Sequence, residues 1–168
     1  RLLVTECIAE GRGDKCGITM FDLQNAFLNA ELESEDGTIV VKLPKSWAKD
    51  GQEYGLLKKA MYGLKIAPRR WYDRIHKALT EELGWTASGE NGLYTKVNAS
   101  GTKLWLTLYV DDVVMGGGSE SERMAEGNSV FAKFPGKIIQ PTTLADGTLL
   151  YDVNGIEVEI NLKNRTYL

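Results

Sequence analysis

Two adjacent carboxylates interrupt an apolar stretch of the chain. Leu104-Trp105-Leu106-Thr107-Leu108-Tyr109-Val110 leads into Asp111-Asp112, and Val113-Val114-Met115 follows. Neighbouring carboxylates at a tight turn between buried strands repel each other unless solvent or a cation relieves them. Oxygen-only donors suit Mg2+ or Mn2+, and a single histidine, His76, leaves little for a nitrogen-rich transition-metal site. A third carboxylate, Asp22, closes the apolar run Ile18-Thr19-Met20-Phe21. If these strands are neighbours in one sheet, the three carboxylates meet. That is the arrangement of a two-metal site, in which ions about 3.5–4 Å apart activate an attacking oxygen and stabilise a leaving one. Phosphoryl or nucleotidyl transfer is the chemistry of such a site. An exposed hairpin turn with no ligand is the competing reading, and a nucleotide cyclase or metal phosphohydrolase would use paired acids equally well.

Charge supplies a second candidate. Lys and Arg total 20 against 23 Asp and Glu, a net charge of −3, and that balance alone argues against a nucleic-acid binder. The distribution is uneven. Lys58, Lys59, Lys65, Arg69, Arg70, Arg74 and Lys77 face only Asp73 between positions 58 and 77, so this stretch carries +6 and the remainder −9. Such a strip attracts a polyanion to one face; a solvated helix face is the alternative.

The elements that must position these residues follow from pattern. With 168 residues, 43% of them hydrophobic, and four prolines, one compact globular domain over 1–168 is expected. No apolar run reaches the roughly 18 residues of a membrane span, and no signal peptide is evident, so no membrane partner is expected. Cys7 and Cys16 favour a reducing compartment. The first residue is Arg, which suggests a piece of a longer protein. A short helix is expected within 1–10, a strand from Ile18 to Asp22, a helical turn over 24–28, and strands over Thr38–Leu43 and Tyr54–Met61. Ala67–Leu83 reads as a helix, with Pro68 in its first turn, a Trp71-Ile75-Leu79-Leu83 stripe, and Gly84 as its stop. Gly92–Val97 with Thr102–Val110 forms one hairpin, and the Asp111-Asp112 turn makes a second. Ser119-Glu120-Ser121-Glu122 is a capping box opening a helix to about Phe134. Leu149–Tyr151 and Ile156–Ile160 alternate as half-buried strands. The fold class is α+β: a mostly antiparallel sheet with the helices after Ala67 and Ser119 on one face and the acids on the other.

Three segments in order then carry a resemblance. Asp22-Leu-Gln-Asn-Ala-Phe27, Leu57-Lys-Lys-Ala-Met-Tyr62-Gly63-Leu64-Lys65-Ile66-Ala67-Pro68-Arg69-Arg70-Trp71-Tyr72 and Tyr109-Val110-Asp111-Asp112 closely resemble copia-type LTR-retrotransposon reverse transcriptases. The resemblance implies a polymerase palm-like sheet with part of the fingers, within a longer polyprotein. It implies an RNA-directed DNA polymerase core that adds deoxynucleotides to a primer 3′ end on an RNA or DNA template with two Mg2+ or Mn2+ ions. Asp22, the Leu23 carbonyl, Asp111 and Asp112 would hold those ions. Phe27, Tyr62 and Gly63 would contact the incoming deoxynucleoside triphosphate, with Phe27 excluding a 2′-hydroxyl. Lys65 and Arg69 would lie near the template backbone. Asn154 and Gly155 would form the primer-grip hairpin, and Lys133 or Lys137 would protonate pyrophosphate. The family setting is a cytoplasmic retrotransposon particle. The chain departs from the family pattern in several places. The family's basic fingers segment is expected before position 1, and its thumb and RNase H regions after 168, outside the given sequence. Ile66 replaces a frequent Gln, and Gly116–Gly118 is unusually rich in glycine. These departures make a domesticated or incomplete fragment that binds nucleic acid without catalysis the alternative.

Overall fold

The structure, a computed structural model, describes residues 17–48, 51–153, 155–161 and 166–167. In chain order the strands and helices are β1 (Ile18–Leu23), β2 (Val40–Lys42), β3 (Tyr54–Leu56), α1 (Ala67–Lys77), β4 (Thr86–Ala87), β5 (Leu93–Val97), β6 (Lys103–Tyr109), β7 (Asp112–Gly116), α2 (Glu120–Phe131), β8 (Gly136–Ile139), β9 (Thr142–Thr143), β10 (Leu149–Val153), β11 (Ile156–Asn161) and β12 (Thr166–Tyr167). The chain forms two compact units, Asn25–His76 and the segments that flank it.

The flanking unit holds a six-stranded antiparallel sheet, ordered β4-β5-β6-β7-β1-β8, and a four-stranded one, β12-β11-β10-β9. Both faces of the central strands are covered, which is why β6 and β7 read as nearly continuous apolar runs. Thr19 and Phe21 of β1 face α2, because side chains alternate along a strand. Phe21 meets Phe131 edge-on at 5.5 Å. At Gly127 a Cβ would sit 2.3 Å from the Phe21 ring, so the helix lies on the sheet only because that position is bare. Ile18 and Met20 point the other way. They form an apolar cluster with Trp105 and Val114 of the six-stranded sheet and Tyr151 and Ile160 of the four-stranded one, and the Tyr151 hydroxyl donates to the Ile18 carbonyl at 3.1 Å.

Arg123 of α2 is buried. Its guanidinium donates to Thr19 Oγ1 at 2.9 Å and to the Gly117 and Gly118 carbonyls at 3.1 and 2.7 Å, tying β1 to the turn that leaves β7. That turn explains the glycine-rich departure. Gly117 has φ 78°, and a Cβ there would lie 2.5 Å from the Lys103 carbonyl and from the Trp105 ring.

The Asn25–His76 unit contains the β2–β3 ribbon and nearly all of α1. Arg70 is not part of a solvated cationic strip: it is buried, and its fork donates to Asp36 Oδ2 and Oδ1 at 2.7 and 2.8 Å and to Glu35. The Asp36 side chain is only 3% exposed, and the Arg70 hydrogen bonds hold its carboxyl below the ordinary value.

Several expected boundaries shift. The strand expected over Tyr54–Met61 ends at Leu56, and that expected over Thr38–Leu43 shrinks to Val40–Lys42. A two-stranded ribbon has few ladder partners to extend it. The helix expected over Ala67–Leu83 is α-helical to Lys77 and finishes as a π-turn over Ala78–Glu82. The helix after Ser119 stops at Phe131, before Phe134, with Pro135-Gly136 leading into β8. The helix expected within 1–10, and both cysteines, lie outside the described residues. No helix among the described residues is long and apolar enough to cross a membrane.

Helix α2 offers two tests. Glu122 accepts hydrogen bonds from Ser100, Asn98 and Ser119, which hold its carboxyl far below the ordinary value. A depressed carboxyl stabilises the fold above its unfolded pKa, and that contribution is lost as pH falls through the folded value. Glu122→Gln should therefore lower Tm at neutral pH and flatten the acid side of the stability profile, read by thermal melts at stepped pH. Gly127→Ala should cost about 1–3 kcal/mol in denaturant unfolding, the usual cost of overpacking.

Candidate active site

The position of Asp22 follows from two registers. β1 pairs with β7 on one side and β8 on the other, both antiparallel, so Asp22 stands opposite Asp112 across one ladder and opposite Lys137 across the other. The Leu23 amide donates to the Asp111 carbonyl at 2.8 Å, which makes 23/111 a hydrogen-bonded pair. The adjacent Asp22–Asp112 pair is then of the non-hydrogen-bonded kind, where Cα atoms approach to about 4.5 Å and side chains are closest. Both carboxylates leave the face opposite α2, in line with Met20–Val114 and Ile18–Gly116. The four-stranded sheet buries the inner part of that face, whereas Asp111 and Asp112 at its end are half-buried and Tyr109 is exposed.

The electrostatics favour a cation. Burial, then the charges of Asp111, Asp22 and Asp152, raise the Asp112 carboxyl above its ordinary value. Asp152 is a contributor that sequence reasoning missed. It sits on β10, where its Oδ1 accepts from the Gly155 amide at 2.7 Å, and only the stacking of the second sheet brings its charge to bear. Lys137 Nζ lies 3.0 Å from Asp22 Oδ2. Lys133, the other lysine considered, pairs instead with Glu82 at 2.7 Å. Among the described residues no group of three or more His, Cys, Asp or Glu side chains converges as a ready metal-ligand cluster. The donor set, all carboxylate and carbonyl oxygen, nevertheless fits a hard divalent cation.

The turn itself is strained. Tyr109 and Asp112 pair across a two-residue connection, Val110-Asp111, and Val110 takes φ 53°. A β-branched residue in the left-handed region is an outlier that costs on the order of 1–3 kcal/mol.

The Asn25–His76 unit holds other predicted residues. Phe27 and Tyr62 are in ring contact, centroids 4.5 Å apart and tilted by 56°; Tyr62 and Gly63 are exposed, the latter at φ 93°. Lys65 is exposed, as is Arg69, whose link to Asp73 is a loose 3.7 Å pair. Gly155 is exposed in the β10–β11 turn, and Asn154 lies outside the described residues.

Two substitutions probe the turn in metal-free protein. A raised carboxyl favours folding at acid pH, a contribution lost as pH rises through its folded value. Asp112→Asn should therefore melt higher than the unsubstituted chain at neutral pH, with the gap closing below about pH 4. Val110→Gly should be neutral or stabilising by up to about 1–2 kcal/mol, because glycine adopts the turn without strain.

Comparison with known proteins identifies the family. Residues 1–143 match the family described as reverse transcriptase (RNA-dependent DNA polymerase). The retrovirus-related Pol polyprotein from transposon TNT 1-94 of Nicotiana tabacum is 29% identical over 102 residues, covering 60% of this chain and 8% of that protein. A putative transposon Ty5-1 protein of Saccharomyces cerevisiae is 34% identical over 101 residues, 56% of this chain and 30% of that protein. The transposon Ty1-MR1 Gag-Pol polyprotein of the same yeast is 25% identical over 148 residues, 84% of this chain and 8% of that protein. The chain thus spans a small part of these relatives, and the match includes the segments bearing Asp22, Asp111 and Asp112: it belongs to the reverse transcriptase (RNA-dependent DNA polymerase) family, in its copia-type retrotransposon branch.

Proposed function

We propose that this chain carries the nucleotidyl-transfer centre of an RNA-directed DNA polymerase, the palm with part of the fingers, and adds deoxynucleotides to a primer 3′ end on an RNA or DNA template. The Asp22–Asp112 register pair carries the reading: two half-buried carboxylates face each other at the end of a sheet with a third, Asp111, in the adjoining turn. Asp22, the Leu23 carbonyl, Asp111 and Asp112 are the residues that would hold Mg2+ or Mn2+. Bound there, two such ions would activate the primer 3′-oxygen and stabilise the leaving pyrophosphate.

The chain's own residues do the positioning. The β6–β7 ladder holds the turn despite the strain at Val110, and so presents Asp111 and Asp112 at the sheet end. We assign to the Phe27–Tyr62 ring pair, with Gly63, the contact with the sugar and base of the incoming nucleotide; a fixed ring beneath the sugar leaves no room for a 2′-hydroxyl. Lys65 and Arg69, both exposed and the latter only loosely paired with Asp73 at 3.7 Å, suit template phosphates, where cations position without reading sequence. The β10–β11 hairpin, with Gly155 exposed in its turn, suits the primer strand, and the family resemblance adds Asn154 to that role. As proton donor to pyrophosphate, Lys137 beside Asp22 is better supported than Lys133.

The test is extension of a DNA primer on an RNA template with Mg2+ or Mn2+. Asp111→Asn and Asp112→Asn should each reduce extension by at least about 100-fold, the scale of several kcal/mol that metal chemistry contributes, while leaving primer–template binding in place. A folded chain that binds the duplex in a salt-sensitive, metal-independent way yet extends nothing would support the non-catalytic reading, which the exposed Lys58, Lys59, Lys65 and Arg69 favour. Duplex binding unchanged by charge reversal at Lys65 and Arg69 would remove that reading.

A further inference from the structure

The Asp22 carboxylate already has a cation. Its partner across the β1–β8 ladder is Lys137, and the side chains meet at 3.0 Å. The link is built into the sheet. The Gln24 amide donates to the Pro135 carbonyl at 2.7 Å, so by the two-residue alternation of the ladder Asp22 and Lys137 form a hydrogen-bonded pair whose side chains share one face. The same face carries Asp112 on the other side of Asp22. One carboxylate therefore stands between an ammonium and a second carboxylate.

The pair is also exchangeable. The Lys137 side chain is 59% exposed and that of Asp22 27%, and ion pairs open to water are weak. Lysine is a strongly hydrated point charge on a flexible stem, suited to a contact that forms and releases. Its neighbour Lys133 is tethered to Glu82 instead, so the local lysines are not equivalent.

We propose that Lys137 is a built-in placeholder for the divalent cation: its ammonium neutralises Asp22 in the metal-free chain, must be displaced when the ion binds, and so sets the ion concentration at which the site fills. This rests on the reading of Asp22 and Asp112 as metal-holding residues. It makes Lys137 a positioning residue with a second state, freed from Asp22 once the ion takes the carboxylate.

Two measurements on the whole chain test it, with Mn2+ as the probe. Binding read by the Mn2+ spin-resonance signal should tighten roughly five- to tenfold in Lys137→Met, the scale expected for removing one charge next to a divalent ion, and stay unchanged in Lys133→Met. Pulse acetylation read by mass spectrometry should modify Lys137 slowly in the metal-free chain, and faster on adding Mn2+ or in Asp22→Asn. Unchanged Mn2+ affinity in Lys137→Met, in a chain that does bind Mn2+, overturns the placeholder and leaves the site reading intact. Equal Lys137 acetylation in Asp22→Asn and the unsubstituted chain overturns it without reference to any metal. Mn2+ binding absent from both the unsubstituted chain and Lys137→Met overturns the site reading and the placeholder with it.

Discussion

The structure depends on β1 being held in register from both sides. An antiparallel ladder tolerates no single-residue slip where both faces are buried, because a slip would send Ile18 and Met20 toward α2 and Phe21 into the second sheet. Both faces of β1 are occupied by large side chains, so the packing of its apolar residues also fixes the neighbours of Asp22. Asp112 and Lys137 are held opposite it by contacts that have nothing to do with charge.

The far end of the same strands is secured differently. There Arg123 gathers Thr19 and the Gly117 and Gly118 carbonyls, and glycine allows the close passage of that turn beneath Trp105. A buried guanidinium bonded to a hydroxyl and two backbone carbonyls stiffens the strand ends. The charged chemistry stays at one end of the sheet. There Asp112 bears a carboxyl raised by burial and three neighbouring acids, a cost that the fold tolerates and that a bound cation would relieve.

Cationic residues close in sequence have unlike roles. Arg70 is drawn inward by Asp36 and Glu35 and holds its own unit together, whereas Arg69 and Lys65 stay in solvent. Lys137 is claimed by Asp22 and Lys133 by Glu82. Counting charge along a segment therefore overstates what a polyanion could meet, since a guanidinium already forked onto a carboxylate has little left to offer.

Much was legible in the residues themselves. The apolar alternation of Ile18–Phe21 and the run interrupted at Asp111-Asp112 specified strands ending in acids, and Ser119 to Glu122 specified a helix start, because periodicity and capping are local properties of the chain. The three segments bearing Asp22, Tyr62 and Asp111 were enough to suggest the family. Which acid faces which, the claim of Asp22 on Lys137, the reach of Asp152 toward Asp112, and the inward turn of Arg70 were set only by tertiary structure. Each depends on strand order, register or sheet stacking between residues distant in sequence, and those are decided by long-range packing that no local pattern encodes.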